Sequence, residues 1–138
     1  DNTLVEHGAD ASPRAIELIA MLKKIGFKVC LISNNNEERV KRFNREINVK
    51  YIHKANKPAK SSFIKATKLM GTTIENTVFI GDQLFTDIFG ANRIGMMSYF
   101  VKPVGPEVEI QIVLKRKLER IVLKFYRRDL KRGKIKTV

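Results

Sequence analysis

Cysteine occurs once in this sequence, proline four times, and acidic residues are outnumbered 14 to 27 by Lys and Arg. A single cysteine cannot cross-link its own chain, so the fold has to rest on packed apolar residues, as suits a reducing cytoplasm. Cys30 itself lies in the mostly apolar run Lys28-Val29-Cys30-Leu31-Ile32 and reads as a small core residue. Apolar runs of about eighteen residues are lacking, which excludes a membrane-spanning helix, and no secretory-leader pattern occurs. Repeats and low-complexity tracts are also lacking. The two histidines, His7 and His53, are not spaced as a metal pair and read as loop or surface residues. Aromatic residues do not interleave with basic ones along a strand-like face, which counts against a stacking platform for bases. The exception is Phe125-Tyr126 beside Arg127-Arg128.

What is present is enough apolar material, 43% of 138 residues, for one domain to bury a core. The formal net charge is +13, and residues 102–138 hold twelve Lys and Arg against four Asp and Glu. Such an excess concentrates anionic partners, whether phosphate esters, nucleic acid or acidic lipid headgroups, without choosing between them. Short apolar strands alternate with amphipathic helices, the pattern of an α/β domain with a mostly parallel sheet. Ser12-Pro13 opens a first helix with the stripe Ile16, Ile19, Ala20 and Leu22, stopped by Gly26. A strand over 27–32 runs into Ser33-Asn34-Asn35-Asn36, and the next helix carries Val40, Phe43 and Ile47 on one face. After the short strand Tyr51-Ile52, Pro58 opens a helix whose apolar face is Phe63, Ile64, Thr67, Leu69 and Met70. A strand at 77–80, a helix at about 84–93 and a strand at about 96–101 follow. A basic final helix is predicted at about 107–132, with Leu114, Leu118, Ile121, Val122 and Phe125 at helical spacing. The whole, 1–138, reads as a single domain.

The stretch Thr77-Val78-Phe79-Ile80-Gly81-Asp82-Gln83-Leu84-Phe85-Thr86-Asp87 is the most informative. A buried strand stops at Gly81, and two carboxylates, Asp82 and Asp87, follow across the turn. Ligands of open α/β sheets bind outside the carboxyl ends of the strands. Two acids placed there suit Mg²⁺, a hard cation held by one or two carboxylates together with substrate phosphate. The plainer reading is a strand-to-helix turn with Asp82 as N-cap. Three other exits hold polar groups: Asp1-Asn2-Thr3, Ser33-Asn34-Asn35, and the loop from Lys54 to Lys57. Each alone can be a cap or a solvated loop. Together they place an acid, a hydroxyl, a cation and an acid pair at successive strand ends, the equipment for phosphoryl transfer through a carboxylate.

The order Asp1-Asn2-Thr3-Leu4-Val5, Ile32-Ser33-Asn34-Asn35-Asn36, Lys57-Pro58 and Gly81-Asp82-Gln83-Leu84-Phe85-Thr86-Asp87 resembles the haloacid dehalogenase (HAD) phosphatase superfamily. More narrowly it is similar to the bacterial YqeG-like branch, relatives of the eukaryotic phosphatidylglycerophosphate phosphatases. The resemblance implies a Rossmann-like HAD core with helices flanking a mostly parallel sheet and no large cap domain. It also implies Mg²⁺-dependent hydrolysis of a phosphate monoester through an aspartyl-phosphate, on phosphatidylglycerophosphate or a similar ester. Carried over by position, Asp1 would be the acid/base and give its carbonyl to Mg²⁺, with Thr3 supporting the loop. Ser33 and the amides of the Asn34–Asn35 turn would hold the phosphoryl group, and Lys57 would neutralise its charge. Asp82 would ligate Mg²⁺, and Asp87 would do so through water or by orienting Lys57. One departure matters. The first motif reads Asp-x-Asp-x-Thr, and Asp1-Asn2-Thr3 matches only its second half. The nucleophile would then lie two residues before Asp1, on a strand also missing, and residues 1–138 alone should not turn over.

Two other readings compete. A phosphate-accepting receiver domain would need an aspartate where Ser33 stands. A non-catalytic, basic nucleic-acid-binding module on the same fold is suggested by charge alone. The tail from 107 is open between a core-packing helix with a solvated basic face and a helix docking on an anionic membrane surface. The expected location is therefore cytoplasmic, with peripheral membrane contact in the second case.

Overall fold

The computed structural model describes residues 2–106 and 110–133. They fall into two compact units, Asp1–Pro106 and Glu107–Val138.

In the first unit, α1 (Pro13–Lys24) starts where Ser12 turns extended and its hydroxyl accepts the Ala15 amide at 3.2 Å. It ends before Gly26, whose φ of +98° suits a residue without a Cβ. The strand β1 (Cys30–Ile32) leads to α2 (Glu37–Ile47), capped by the Asn36 side chain accepting from the Arg39 amide at 2.9 Å. Left-handed Asn48 closes α2. There the Asn44 side-chain amide clamps Val49 with bonds of 2.9 and 3.0 Å and aims the chain into β2 (Lys50–Ile52). α3 (Lys60–Met70) ends at left-handed Gly71 and is followed by β3 (Val78–Gly81). A π-helical turn, Leu84–Ile88, runs on into α4 (Phe89–Asn92) and then β4 (Met97–Phe100).

Every ladder is parallel, as the alternation of strands and helices implies, but the strands form two separate pairs. β1 pairs with β2, Cys30 opposite Lys50 and Ile32 opposite Ile52. β3 pairs with β4, Val78 opposite Met97 and Gly81 opposite Phe100. Among the described residues, each of the four strands therefore has one edge without a ladder partner. α3 joins the halves. Fully buried Phe63 packs on Ala91 and Met96, with Ile32 of β1 and Phe79 of β3 against the same cluster. The Phe63 and Phe79 rings lie 5.0 Å apart at 60°, a favourable tilted arrangement. Gly90 lets α4 in this close, since a Cβ there would lie 2.6 Å from the Phe63 ring.

Several elements depart from their predicted form. β1 starts at Cys30, not residue 27, and Phe27 is exposed. α3 begins at Lys60 after a cis Lys57–Pro58 peptide, and it buries Ser62, Phe63, Ala66 and Thr67, while Ile64 and Leu69 are exposed. Ser62 and Thr67 can be buried because their hydroxyls donate to the Ala59 and Ile64 carbonyls at 3.3 and 2.8 Å. On α1, Ala15 and Ile19 are buried, and Ala20 faces solvent. The expected helix over 84–93 is half π-helix, because Asp87 and Ile88 both donate to the Gln83 carbonyl. One face of the second strand pair, Val78 and Ile80 with Met97 and Tyr99, is about half exposed.

The second unit contains α5 (Ile110–Lys131). Residues 107–109, where the sequence places the start of that helix, lie outside the described residues.

Candidate active site

The site forms where β1, β2 and β3 release their chains at their carboxyl ends. β3 ends in Gly81, whose carbonyl accepts from the Val101 amide at 3.0 Å and so remains in register with β4. The next residue, Asp82, is 1% exposed, and Asp87 is 2% exposed. Carboxylates are almost never buried to this degree unless they are bonded or paired.

Asp87 meets that requirement twice. Its Oδ1 lies 2.6 Å from Lys57 Nζ, and its Oδ2 accepts the Gln83 amide at 3.1 Å. The π-turn makes this possible by returning residue 87 over the start of its own loop. Gly81 is required by the same geometry, since a Cβ on it would stand 2.6 Å from both Cβ and Cγ of Asp87. Lys57 Nζ also sits 5.6 Å from the Phe79 ring centroid, so the ammonium is enclosed by carboxylate and aromatic face.

The Lys57 backbone is fixed from β1. Asn34 Oδ1 accepts the Lys57 amide at 2.8 Å, and Asn34 Nδ2 donates to the Lys57 carbonyl at 3.4 Å. Ser33 follows directly on β1, with its amide bonded to the Ile52 carbonyl at 2.9 Å. Its Oγ accepts from both the backbone amide and the side-chain Nδ2 of Asn35, at 3.2 and 3.1 Å. Asp82 is reached from the other end of the chain, where the Thr3 hydroxyl donates to its Oδ1 at 2.5 Å. Asn2, buried and at φ +54°, accepts the Val104 amide at 2.8 Å and the Gly105 amide at 3.1 Å. Those bonds seat the 2–3 segment beside the exit of β4.

Of the residues the sequence singled out, Asn34, Lys57 and Asp87 are therefore directly linked. Ser33 adjoins Asn34, and Asp82 lies five residues before Asp87 under Thr3. Asp1 lies outside the described residues. Sequence reasoning missed the Asn34 side chain as the support of Lys57, for which its position after a strand gave no signal. It also missed the staple on the 5–11 segment. Arg39 Nη1 lies 3.1 Å from His7 Nε2, and Arg42 donates to the Gly8 carbonyl at 2.7 Å while pairing with Asp10. His7 and His53, read as loop or surface residues, both lie in loops and are half-buried.

Among the described residues, no group of three or more His, Cys, Asp or Glu converges as a metal cage. Two buried acids at one loop nevertheless suit Mg²⁺, which keeps several waters and uses one or two protein carboxylates.

Buried acids, a paired lysine and a serine turn thus gather at the carboxyl ends of strands in a parallel α/β core. The sequence profile of the haloacid dehalogenase-like hydrolases matches residues 2–95, and the chain belongs to that family. Within it the likeness to the probable phosphatase YqeG of Bacillus subtilis is 41% identity, covering 93% of this chain and 75% of that protein. The chloroplastic/mitochondrial phosphatidylglycerophosphate phosphatase 1 of Arabidopsis thaliana is 29% identical over 72% of this chain, but only 28% of its own length is spanned. Among solved structures, a hydrolase from Pseudomonas syringae superposes with a TM-score of 0.61 over 72% of this chain and 49% of its own, at 21% identity, a likeness of fold.

Proposed function

We propose that this chain is the core of a phosphatase acting on phosphate monoesters, and that Asp1, Ser33, Lys57, Asp82 and Asp87 carry the reaction. The observation behind it is the enclosed Lys57–Asp87 pair beside buried Asp82. In this reading the fixed cation of that pair offsets charge on a phosphoryl group, with the acid holding it in place. Names of the relatives support the same reading. One of them is a phosphatidylglycerophosphate phosphatase, which makes a glycerophosphate headgroup the first substrate to test.

In this reading a carboxylate oxygen attacks phosphorus and the bond to the ester oxygen breaks. The leaving alkoxide takes its proton from the Asp1 carboxyl. Asp1, now a carboxylate, takes a proton from water, whose oxygen attacks the acyl phosphate, and inorganic phosphate and the free carboxylate are released. Ser33 Oγ and the amides of the Asn34–Asn35 turn hold the phosphoryl oxygens, and Lys57, aimed by Asp87, offsets their charge. Mg²⁺ would be held by Asp82 and the Asp1 carbonyl, with Asp87 reached through water, and would supply further charge neutralisation there. The acceptor carboxylate belongs, in this proposal, to an extended segment ahead of Asp1 that continues the sheet. Each strand pair has open edges among the described residues, so the sheet has room for such a segment.

The test is phosphate release from an aryl phosphate and from phosphatidylglycerophosphate, by these 138 residues and by the chain extended N-terminally to include the acceptor carboxylate. The extended chain turns over, EDTA stops it, and Asp82→Ala abolishes it. Equal activity without the extension would reject the acceptor assignment. Full activity of Asp82→Ala would reject the metal role.

A further inference from the structure

Helix α5 carries two different faces side by side. Leu114, Leu118, Ile121, Val122 and Phe125 form one stripe, and these side chains are 61, 51, 53, 44 and 50% exposed. Ile112 and Leu123, on another side of the helix, are half-buried. Adjoining the stripe, Lys117, Arg120, Lys124, Arg127 and Lys131 recur on the next face of the helix. A groove of about 480 Å³ runs among Arg120, Leu123, Lys124, Arg127, Arg128 and Lys131. At the boundary the Arg128 guanidinium lies 4.8 Å from the Phe125 ring centroid. Acids are few in α5, and both are engaged: Glu119 with Arg116 at 2.9 Å, and Asp129 with Arg128 at 3.6 Å.

We infer that α5 is a docking helix for an anionic lipid surface. It lies in the plane of the surface, its apolar stripe entering the acyl boundary and its basic groove holding lipid phosphates. Charge complementarity selects this occupant. A second copy laid stripe to stripe would bring two basic faces together, with the acids of each helix already paired within it. Nucleic acid would match the cations but has no use for an aliphatic stripe, and only Phe125 and Tyr126 could stack on bases. No described helix is long and apolar enough to cross a membrane, so the contact is interfacial. The inference deepens the phosphatase reading by saying where a lipid-borne ester would be met. It is tested by binding alone, so turnover does not bear on it.

The sequence contains no tryptophan, so Phe125→Trp introduces a unique fluorophore. With equimolar phosphatidylglycerol and phosphatidylcholine vesicles, its emission shifts to the blue and is quenched by brominated acyl chains. With pure phosphatidylcholine it does neither. Co-sedimentation across about 0.05 to about 0.5 M salt retains a bound fraction at the top of the range, where a random RNA has been released. Paired substitution Leu118→Glu and Ile121→Glu lowers vesicle binding by roughly tenfold or more at every salt concentration, whereas Lys124→Gln with Arg127→Gln weakens it chiefly at low salt. The inference is overturned by an unshifted Phe125→Trp spectrum. Vesicle binding as salt-sensitive as RNA binding, or indifferent to the stripe substitutions, would also overturn it. If the stripe substitutions unfold the protein by circular dichroism, the tryptophan readout decides alone.

Discussion

Replacing Asp87 by alanine tests the enclosed ion pair at its weakest point. The Lys57 and Asp87 side chains are 12 and 3% exposed, so solvent does little to screen either charge. Alanine removes the short bond to Lys57 Nζ and the Gln83 amide's acceptor in one step, leaving an ammonium against the Phe79 ring. Breaking a buried pair from one side costs about 3–5 kcal/mol, because the surviving charge is uncompensated. For a unit near a hundred residues, about 3 kcal/mol lowers Tm by roughly 12 to 20 °C. Removing both charges is different: Lys57→Met with Asp87→Leu leaves no orphan ion, and such replacements are often neutral or stabilising. Urea unfolding followed by circular dichroism, for wild type, each single variant and the double variant, measures the cycle. Asp87→Ala is expected to be the least stable and the double variant to recover most of the loss. An Asp87→Ala midpoint equal to wild type, or a double variant no better than the single, would refute the reasoning.

Gly81→Ala gives an independent check on the same corner. The new Cβ would meet Asp87 Cβ and Cγ at 2.6 Å, so the carboxylate has to leave Lys57, and a stability loss of about 1–3 kcal/mol is expected in the same unfolding assay. Burial pushes the Cys30 thiol up to about 11 from an ordinary value near 9.0. The unshifted thiol of the unfolded chain ionises first. Cys30 therefore costs no stability below about pH 9, and the folded state is progressively disfavoured as pH rises from there through about 11. The thiolate fraction at about pH 8 is about a hundredfold below that of an unperturbed cysteine, so iodoacetamide labelling should be slow in native protein and rapid in urea. Equal rates in the two states would contradict the burial.

The strand that ends in Gly81 was legible because a β-branched run striking Gly-Asp has few other uses, and the Ser12 and Asn36 caps follow from local rules. Long-range bonds were not legible from residue types. Nothing at Thr3 announces a bond to Asp82, 79 positions on, and nothing at Asn34 announces that its side chain holds the Lys57 backbone. The split of the sheet was hidden too, since each strand satisfies its own apolar pattern whether its neighbour is one strand or two. Helical periodicity likewise locates the stripe of α5 without saying which face meets solvent. The stripe that periodicity marked most strongly is the exposed one.

The bonds that complete the site also tie separate strand exits together. Lys57 belongs to the loop after β2, and Asp87 to the turn after β3, so their pair bridges the two strand pairs at the edge where phosphate would sit. Asn34 extends that bridge to β1, and Thr3 anchors the start of the chain to Asp82. Packing alone could join the halves, since Phe63 already contacts both through Ile32 and Phe79. A lysine buried against a carboxylate is therefore a costly way to gain cohesion that a methionine facing a leucine could provide. Its distinctive effect is electrostatic, because it fixes an ammonium that is only 12% exposed and little screened by water. The proposed reaction needs such a group, and the double variant separates the two roles. With Lys57→Met and Asp87→Leu combined, the fold should survive while phosphoryl transfer in the extended chain is lost.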